Sequence, residues 1–92
     1  MYEKTGFRLK KRFGQHFIRD KNIIRKIVGA AGVKKGDTVV EVGPGQGSLT
    51  EGLLSTGARI IAIELDRDLI PFLKEKFSGF DNLELIEADA LK

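Results

Sequence analysis

Apolar residues fall into segments of two kinds along the first half of the chain. In "DKNIIRKIVGAAG", isoleucine and valine recur every three or four residues, which predicts an amphipathic helix capped by Asp20 and stopped at Gly32. "TVVEV", residues 38–42, is short and almost wholly apolar, as strands buried in a parallel sheet are. The pattern therefore predicts a helix followed by a buried first strand.

The same two kinds of segment continue to the end of the chain. A second helix is predicted from Ser48, where S-x-x-E with Glu51 fits a capping box, and it ends before Gly57. "RIIAIE" predicts a second strand and "LELIEA" a third. Helix and strand thus alternate through the whole sequence.

A third helix is predicted between the second and third strands. It starts at Asp66 or Asp68 and runs to Phe77. Pro71 is tolerated in a helix only within the first turn, where its missing N–H has no partner to lose. This favours Asp68 as the capping residue.

Strands that alternate with helices indicate parallel pairing through right-handed crossovers. We therefore predict an α/β fold with a three-stranded parallel half-Rossmann sheet, strand order 3-2-1, and helices on both faces. In a doubly wound sheet the first strand is central and has a neighbour on its other side. The prediction leaves that edge open, so we expect either a fragment or a sheet completed by association, as in a homodimer.

Composition restricts the class of protein further. The 92 residues are 41% hydrophobic and 32% charged, which suits a small globular domain better than a disordered chain. With no cysteine and one histidine, we predict neither a disulfide nor a metal site. No apolar run approaches about 18 residues, and the amino terminus is charged where a signal peptide is apolar. We expect a cytoplasmic protein without a membrane partner.

Positive charge is concentrated at the start of the chain. Residues 1–26 contain nine Lys or Arg against two acidic residues, a net charge of +7, whereas the remainder carries −4. A basic segment attracts polyanions through counterion release, although it also suits a solubilising terminus. We divide the chain into a basic arm, residues 1–19, and a domain, residues 20–92. The candidate RNA-binding residues in the arm are Arg8, Lys10, Lys11 and Arg12.

The stretch "EVGPGQGSLT" follows the first strand and is rich in glycine. It has no lysine where a nucleotide P-loop needs one, and Gly43, Gly45 and Gly47 follow G-x-G-x-G rather than the dinucleotide pattern G-x-G-x-x-G. This spacing resembles motif I of the class I methyltransferases, which bind S-adenosylmethionine. Glycines allow the backbone to pass close beneath such a ligand, although a purely steric strand-to-helix turn also uses them.

Acidic residues end the predicted strands, where a ligand above the glycine loop would meet them. Glu64 lies 21 residues after the first glycine, a position suited to accepting hydrogen bonds from both ribose hydroxyls. Leu65 would pack on the adenine, Asp89 would accept from its amine, and Ala90 leaves room beside it. Glu41 would hold the loop amides or contact the methionine ammonium group. Singly, each acid also suits a surface or capping role; their joint spacing favours the cofactor.

Four segments together resemble one family across nearly the full chain. "KKRFGQHFIRD", "EVGPGQGSLT", "IELDRDL" and "EADAL" are similar to the first half of the Rossmann domain of the ribosomal RNA adenine dimethyltransferases, relatives of the macrolide-resistance methyltransferases. The F-G-Q-[NH]-F segment is much more specific than motif I. The resemblance implies that Gln15, His16 and Phe17 contact the methionine end or wall of the cofactor pocket. His16 replaces the Asn of many members; a packed surface histidine is the alternative.

The resemblance also implies a reaction, the transfer of the sulfonium methyl group twice to N6 of adenosine in small-subunit ribosomal RNA, with no metal. The family's catalytic tetrapeptide, Asn/Asp-Leu/Ile-Pro-Tyr/Phe, does not occur in these 92 residues. We therefore expect a cofactor half-site without catalytic residues, inactive by itself. Two alternatives stay open: a fragment of a dinucleotide-binding oxidoreductase, and a non-catalytic RNA-binding module that uses the basic arm.

Overall fold

A computed structural model describes residues 2–4, 7–8 and 20–91, and the side chains of residues 20–89. These residues form helices and a sheet that alternate along the chain, as the pattern predicted. In chain order the elements are β1 (Tyr2–Lys4), β2 (Phe7–Arg8), α1 (Lys21–Ala31), β3 (Thr38–Val42), α2 (Ser48–Leu54), β4 (Arg59–Glu64), α3 (Leu69–Lys76), β5 (Leu83–Glu87) and a 3₁₀ helix (Ala88–Leu91).

The strands described form one sheet in the order β2-β1-β3-β4-β5. β3, β4 and β5 are parallel neighbours, with Val39 paired to Ile60 and Ile60 to Leu83. The predicted three-stranded parallel core and its order are confirmed. This pairing brings the carboxyl ends of three strands to a single edge of the sheet.

The outer edge of β3 differs from the prediction, because it is not open. β1 pairs with it antiparallel, with Tyr2 opposite Glu41 and Glu3 opposite Val40, and β2 pairs with β1 in turn. An unpaired strand edge presents N–H and C=O groups that an extended segment can bond, and here the chain's own first residues do so. A homodimer formed through the edge of β3 would require β1 to separate from β3.

The helices described lie against one face of the sheet, so the prediction of helices on both faces is wrong. The core is formed by inward residues of the sheet, including Val39 and Ile60, with apolar residues of all three helices, including Val28, Leu53 and Leu73. From β3 to β5 each crossover moves in the same direction along the sheet. Right-handed connections that move in one direction place their helices on the same side.

The opposite face of the sheet retains exposed apolar side chains. Val40 and Val42 are 37% and 40% exposed, whereas Val39, whose side chain lies on the other face of β3, is fully buried. Strand residues alternate between faces, so this difference marks which side the helices cover.

The ends of α1 are as predicted. The Asp20 carboxylate accepts hydrogen bonds from the amides of Asn22 at 2.9 Å and Ile23 at 3.3 Å. Gly32 adopts the left-handed conformation, with φ 68°, and its N–H donates to the Gly29 carbonyl. Both ends therefore satisfy backbone groups that the helix itself leaves unpaired.

The start of α2 differs from the predicted capping box. Gly47 occupies the N-cap with φ 88° and has no side chain to form a capping bond, and Ser48 is already the first helical residue. Gly47 N–H donates to the Pro44 carbonyl at 2.9 Å, so a tight turn leads directly into the helix. The S-x-x-E pattern describes residue types, and it does not include the left-handed turn that precedes them.

The start of α3 lies where proline permits it. Asp68 is at the N-cap, although its side chain forms no capping bond, and Pro71 is the third residue of the helix. Asp68 N–H instead donates to the Asp66 carboxylate at 2.9 Å. The choice of Asp68 over Asp66 as the cap position is thus confirmed, with Asp66 shaping the preceding turn.

Candidate cofactor site

The predicted site residues of the described part of the chain meet at the carboxyl edge of the parallel strands. The glycine loop follows β3, Glu64 ends β4, and Asp89 lies just after β5. Glu64 pairs in register with Glu87, so the ends of β4 and β5 are level. In an open α/β sheet, ligands bind in the crevice outside this edge.

The loop glycines serve two different purposes. Gly43, Gly45 and Gly47 all have positive φ, at 73°, 61° and 88°. A Cβ on Gly45 would meet nothing within 4 Å, whereas one on Gly47 would lie 2.7 Å from ring atoms of Phe77. Gly47 is therefore needed because the loop packs closely against the Phe77 ring, whereas Gly45 borders open space on the loop surface.

Glu64 holds the loop to the end of β4. Its side chain is nearly buried, at 4% exposure. One carboxylate oxygen accepts from Gly45 N–H at 3.1 Å and the other from Asp66 N–H at 2.7 Å. A carboxylate has about four acceptor positions, so each oxygen retains capacity for a further donor such as a hydroxyl.

Glu41 lies deeper, on β3 beneath the loop, and is 1% exposed. Its carboxylate accepts a hydrogen bond from the Thr50 hydroxyl on α2. Burial raises the pKa of Glu41 to about 7; the Thr50 bond opposes this rise and the nearby charge of Glu64 adds to it. The loop-anchoring contact that we expected of Glu41 is made at Gly45 by Glu64.

Two residues of the α3 end, which sequence reasoning missed, fasten the loop from outside. The Lys76 ammonium donates to the Gln46 carbonyl at 2.8 Å and lies 5.5 Å from the centroid of the Phe77 ring. Phe77 in turn packs against Gly47. Nothing in the local sequence distinguishes Lys76 from other exposed helical lysines, so this contact depends on tertiary structure.

The predicted adenine-contacting residues lie farther along the same edge. Leu65 is 76% exposed and directly follows the buried Glu64. Asp89 is exposed on the 3₁₀ helix, which also includes Ala90. Arg67, also missed from sequence, reaches Asp89 Oδ2 at 3.3 Å and Glu87 Oε1 at 3.4 Å.

Several predicted residues lie outside the described part of the chain and stay predictions. They are Gln15, His16 and Phe17 for the cofactor and Lys10, Lys11 and Arg12 for RNA. Arg8 lies in β2, of which the structure describes the backbone, and its RNA-binding role also stays a prediction.

The residues that the structure describes include no group of three or more His, Cys, Asp or Glu side chains that could hold a metal ion. Of the helices within them, none has the length and apolar character needed to cross a membrane.

The parallel sheet, its glycine loop and the acid ending the next strand define a class I S-adenosylmethionine-dependent methyltransferase fold. The crystal structure of the 23S rRNA methyltransferase ErmE matches it with a TM-score of 0.71 and 39% identity, over 83% of this chain and 31% of that one. A model of the family described as ribosomal RNA adenine dimethylase matches residues 6–92, and the chain belongs to this family.

Individual relatives agree with this membership. The ribosomal RNA small subunit methyltransferase A of Pseudomonas putida is 49% identical over all 92 residues. A dimethyladenosine transferase from Plasmodium falciparum has a similar crystal structure, with a TM-score of 0.68 and 39% identity over 80% of this chain and 28% of that one. The chain spans 34% of the length of the Pseudomonas relative.

Proposed function

We propose that the chain binds S-adenosylmethionine at the carboxyl edge of β3–β5 and forms the cofactor half-site of a ribosomal RNA adenine N6-dimethyltransferase. The observation that carries the proposal is the position of Glu64, nearly buried beside Gly45, with acceptor capacity left on both oxygens. Two adjacent ribose hydroxyls are the donors that such a carboxylate suits. The open space above Gly45 would leave room for the methionine and ribose parts of the ligand.

The other residues of the edge have roles that follow from their positions. Gly43 to Gly47 pass beneath the methionine and ribose, Leu65 covers one face of the adenine, and Asp89 accepts from its amine, with Ala90 leaving space. We assign Gln15, His16 and Phe17 to the methionine end by family resemblance. When bound, S-adenosylmethionine supplies an electrophilic methyl group; the residues described here bind and orient it.

We propose adenosine N6 in small-subunit ribosomal RNA as the methyl acceptor of the whole enzyme. The family description and the name of the Pseudomonas relative support this choice. The basic arm, with Arg8, Lys10, Lys11 and Arg12, would draw the RNA phosphates towards the site. We propose a cytoplasmic location, in keeping with a ribosomal substrate.

The 92 residues supply the cofactor side of this reaction in our proposal. The tetrapeptide that polarises the target amine in the family is absent from them. We therefore expect these residues to bind the cofactor without methylating RNA by themselves.

Calorimetric titration of the chain with S-adenosylhomocysteine tests the proposal. We expect saturable binding that Glu64→Ala abolishes, whereas NAD gives no heat of binding. Glu84→Ala is the matched control, because Glu84 is an exposed acid near the opposite end of β5. A folded chain that binds NAD, or that binds neither ligand, would contradict the proposal. If RNA binding alone remained, steeply salt-dependent and unaffected by Glu64→Ala, the RNA-binding alternative would be favoured.

A further inference from the structure

Arg67 joins two carboxylates at the end of β5. Its Nε atom lies 3.4 Å from Glu87 Oε1, and its terminal nitrogen lies 3.3 Å from Asp89 Oδ2. Arginine can serve two carboxylates at once because its guanidinium is a planar fork of five donors; a lysine ammonium cannot reproduce this geometry. The side chain is 72% exposed, so packing does not account for its position.

The backbone on both sides of this bridge is held by the site itself. Arg67 follows Asp66, whose N–H donates to the Glu64 carboxylate at 2.7 Å. Glu87 is the last residue of β5 and pairs in register with Glu64. Asp89 lies beyond the strand, on a single 3₁₀ turn. The guanidinium therefore links Asp89, which lies beyond the sheet, to Glu87, which is paired within it.

We propose that Arg67 is a positioning residue that orients Asp89 towards the 6-amino group of the cofactor's adenine, and so helps the site distinguish a 6-amino from a 6-oxo purine. The inference rests on the proposed function. A carboxylate has about four acceptor positions, so one that contacts an arginine can also accept from an amine donor. The same oriented carboxylate repels a purine carbonyl oxygen, which has no proton to donate.

The size of the effect follows from the exposure of the pair. Exposed ion pairs are weak and are screened by salt. We expect loss of Arg67 to reduce affinity for the 6-amino ligand by about 1.5- to 5-fold, the range that such pairs produce.

Calorimetric titration with two ligands tests the inference: S-adenosylhomocysteine and its 6-oxo analogue, S-inosylhomocysteine. Arg67→Ala should weaken binding of the first ligand without weakening that of the second, while Arg67→Lys should recover part of the loss. In an Asp89→Ala background, Arg67→Ala should have no further effect. The matched control is Arg59→Ala: Arg59 is also exposed and paired with an acid of β5, Glu84 at 2.5 Å, but lies at the opposite edge of the sheet.

Three results would overturn the inference while leaving the proposed function intact. Arg67→Ala could match Arg59→Ala in its affinity for S-adenosylhomocysteine, weaken both ligands equally, or still weaken binding in the Asp89→Ala background. Failure of the unmodified, folded chain to bind S-adenosylhomocysteine would instead reject the proposed function, and the inference with it. Circular dichroism of each variant separates these cases from loss of the fold.

Discussion

The backbone N–H of Gly45 donates to the carboxylate of Glu64 at 3.1 Å, across 19 residues of sequence. The second oxygen of Glu64 binds the N–H of Asp66 at 2.7 Å. The glycine loop and the acid that ends the next strand are thus one hydrogen-bonded unit. Glu64, which we propose as a ligand-binding acid, therefore also holds the loop on which the proposed ligand would rest.

Glu64→Gln separates these two roles. The amide retains one acceptor oxygen, but its NH₂ group faces a backbone donor in either orientation. Leaving a buried donor unpaired costs about 1–3 kcal/mol, and we expect the free energy of unfolding, measured by urea titration, to fall by about that amount. Affinity for S-adenosylhomocysteine should fall at least about fivefold, since the lower end of that cost corresponds to this factor. Glu84→Gln, which alters only an exposed pair with Arg59, should lower the free energy of unfolding by less than about 1 kcal/mol and leave the affinity unchanged. Unchanged values in Glu64→Gln would show that the carboxylate is dispensable.

Gly45→Ala tests whether the open space above the loop belongs to the ligand. Gly45 and Gly32 both have left-handed φ, 61° and 68°, and an added Cβ meets nothing within 4 Å at either position. Alanine in this conformation costs about 1–2 kcal/mol, so both variants should lose similar stability in thermal unfolding. Only Gly45→Ala should lose affinity for S-adenosylhomocysteine in calorimetry. Equal affinities in the two variants would mean that the ligand does not approach Gly45.

Glu41 should make stability depend on pH. Its pKa in the folded chain is raised to about 7 from 4.5, so its contribution is fully present below pH 4.5 and is lost as the pH rises through 7. Glu41→Gln keeps an acceptor for the Thr50 hydroxyl and does not ionise. We expect this variant to gain stability relative to the unmodified chain as the pH rises from 4.5 to 8, by on the order of 1–3 kcal/mol.

Urea unfolding of the two proteins across this pH range measures that difference. Subtracting one from the other removes the contributions of the remaining titrating groups. A constant difference between pH 4.5 and 8 would show that Glu41 does not titrate in this window.

Lys76→Met should loosen the glycine loop without unfolding the domain. Methionine keeps most of the apolar stem but cannot donate to the Gln46 carbonyl, which Lys76 reaches at 2.8 Å. A hydrogen bond from a charged group contributes about 1.5–3 kcal/mol at most, and less at an exposed site. Hydrogen exchange of the loop amides, followed by NMR, should accelerate, because exchange reports local opening.

Lys74→Met provides the control for that experiment, because Lys74 is also an exposed lysine in the last turn of α3. In the Lys74→Met variant, the loop amides should exchange at the same rate as in the unmodified chain. Identical acceleration in both variants would trace the effect to lost surface charge rather than to the contact with Gln46.

Much of the fold was predictable because its signals are local. "TVVEV" and "RIIAIE" are short apolar runs typical of parallel strands, and they match β3 and β4 residue for residue. The prediction that the first strand is buried holds for one face only, because Val40 and Val42 are exposed on the other. Asp20 and Gly32 end α1 through bonds to residues at most four positions away. The face on which the helices lie was not predicted correctly, since it depends on the direction in which successive strands are added.

The site was predicted less completely, because its contacts join distant segments. The residue type and spacing of Glu64 predict a ligand acceptor, and that role stays a prediction. Its bond to Gly45 depends on how the strand ends align in space, which the sequence does not show. Lys76 lies 30 residues from Gln46, and no local pattern connects them. Arg67 lies two residues before α3, and nothing in the local sequence distinguishes it from other surface arginines. Its contact with Asp89 depends on the position of β5 in the sheet.

Phe77 belongs to two parts of the molecule at once. Its ring is a member of the hydrophobic core, and the same ring forms the support against which Gly47 turns. Loop and core therefore share one packing contact, and a ligand that binds the loop of the folded chain only would raise the melting temperature of the whole domain. Conversely, a cavity made by truncating a side chain next to Phe77 would be measured as weaker binding, although the altered residue touches no ligand.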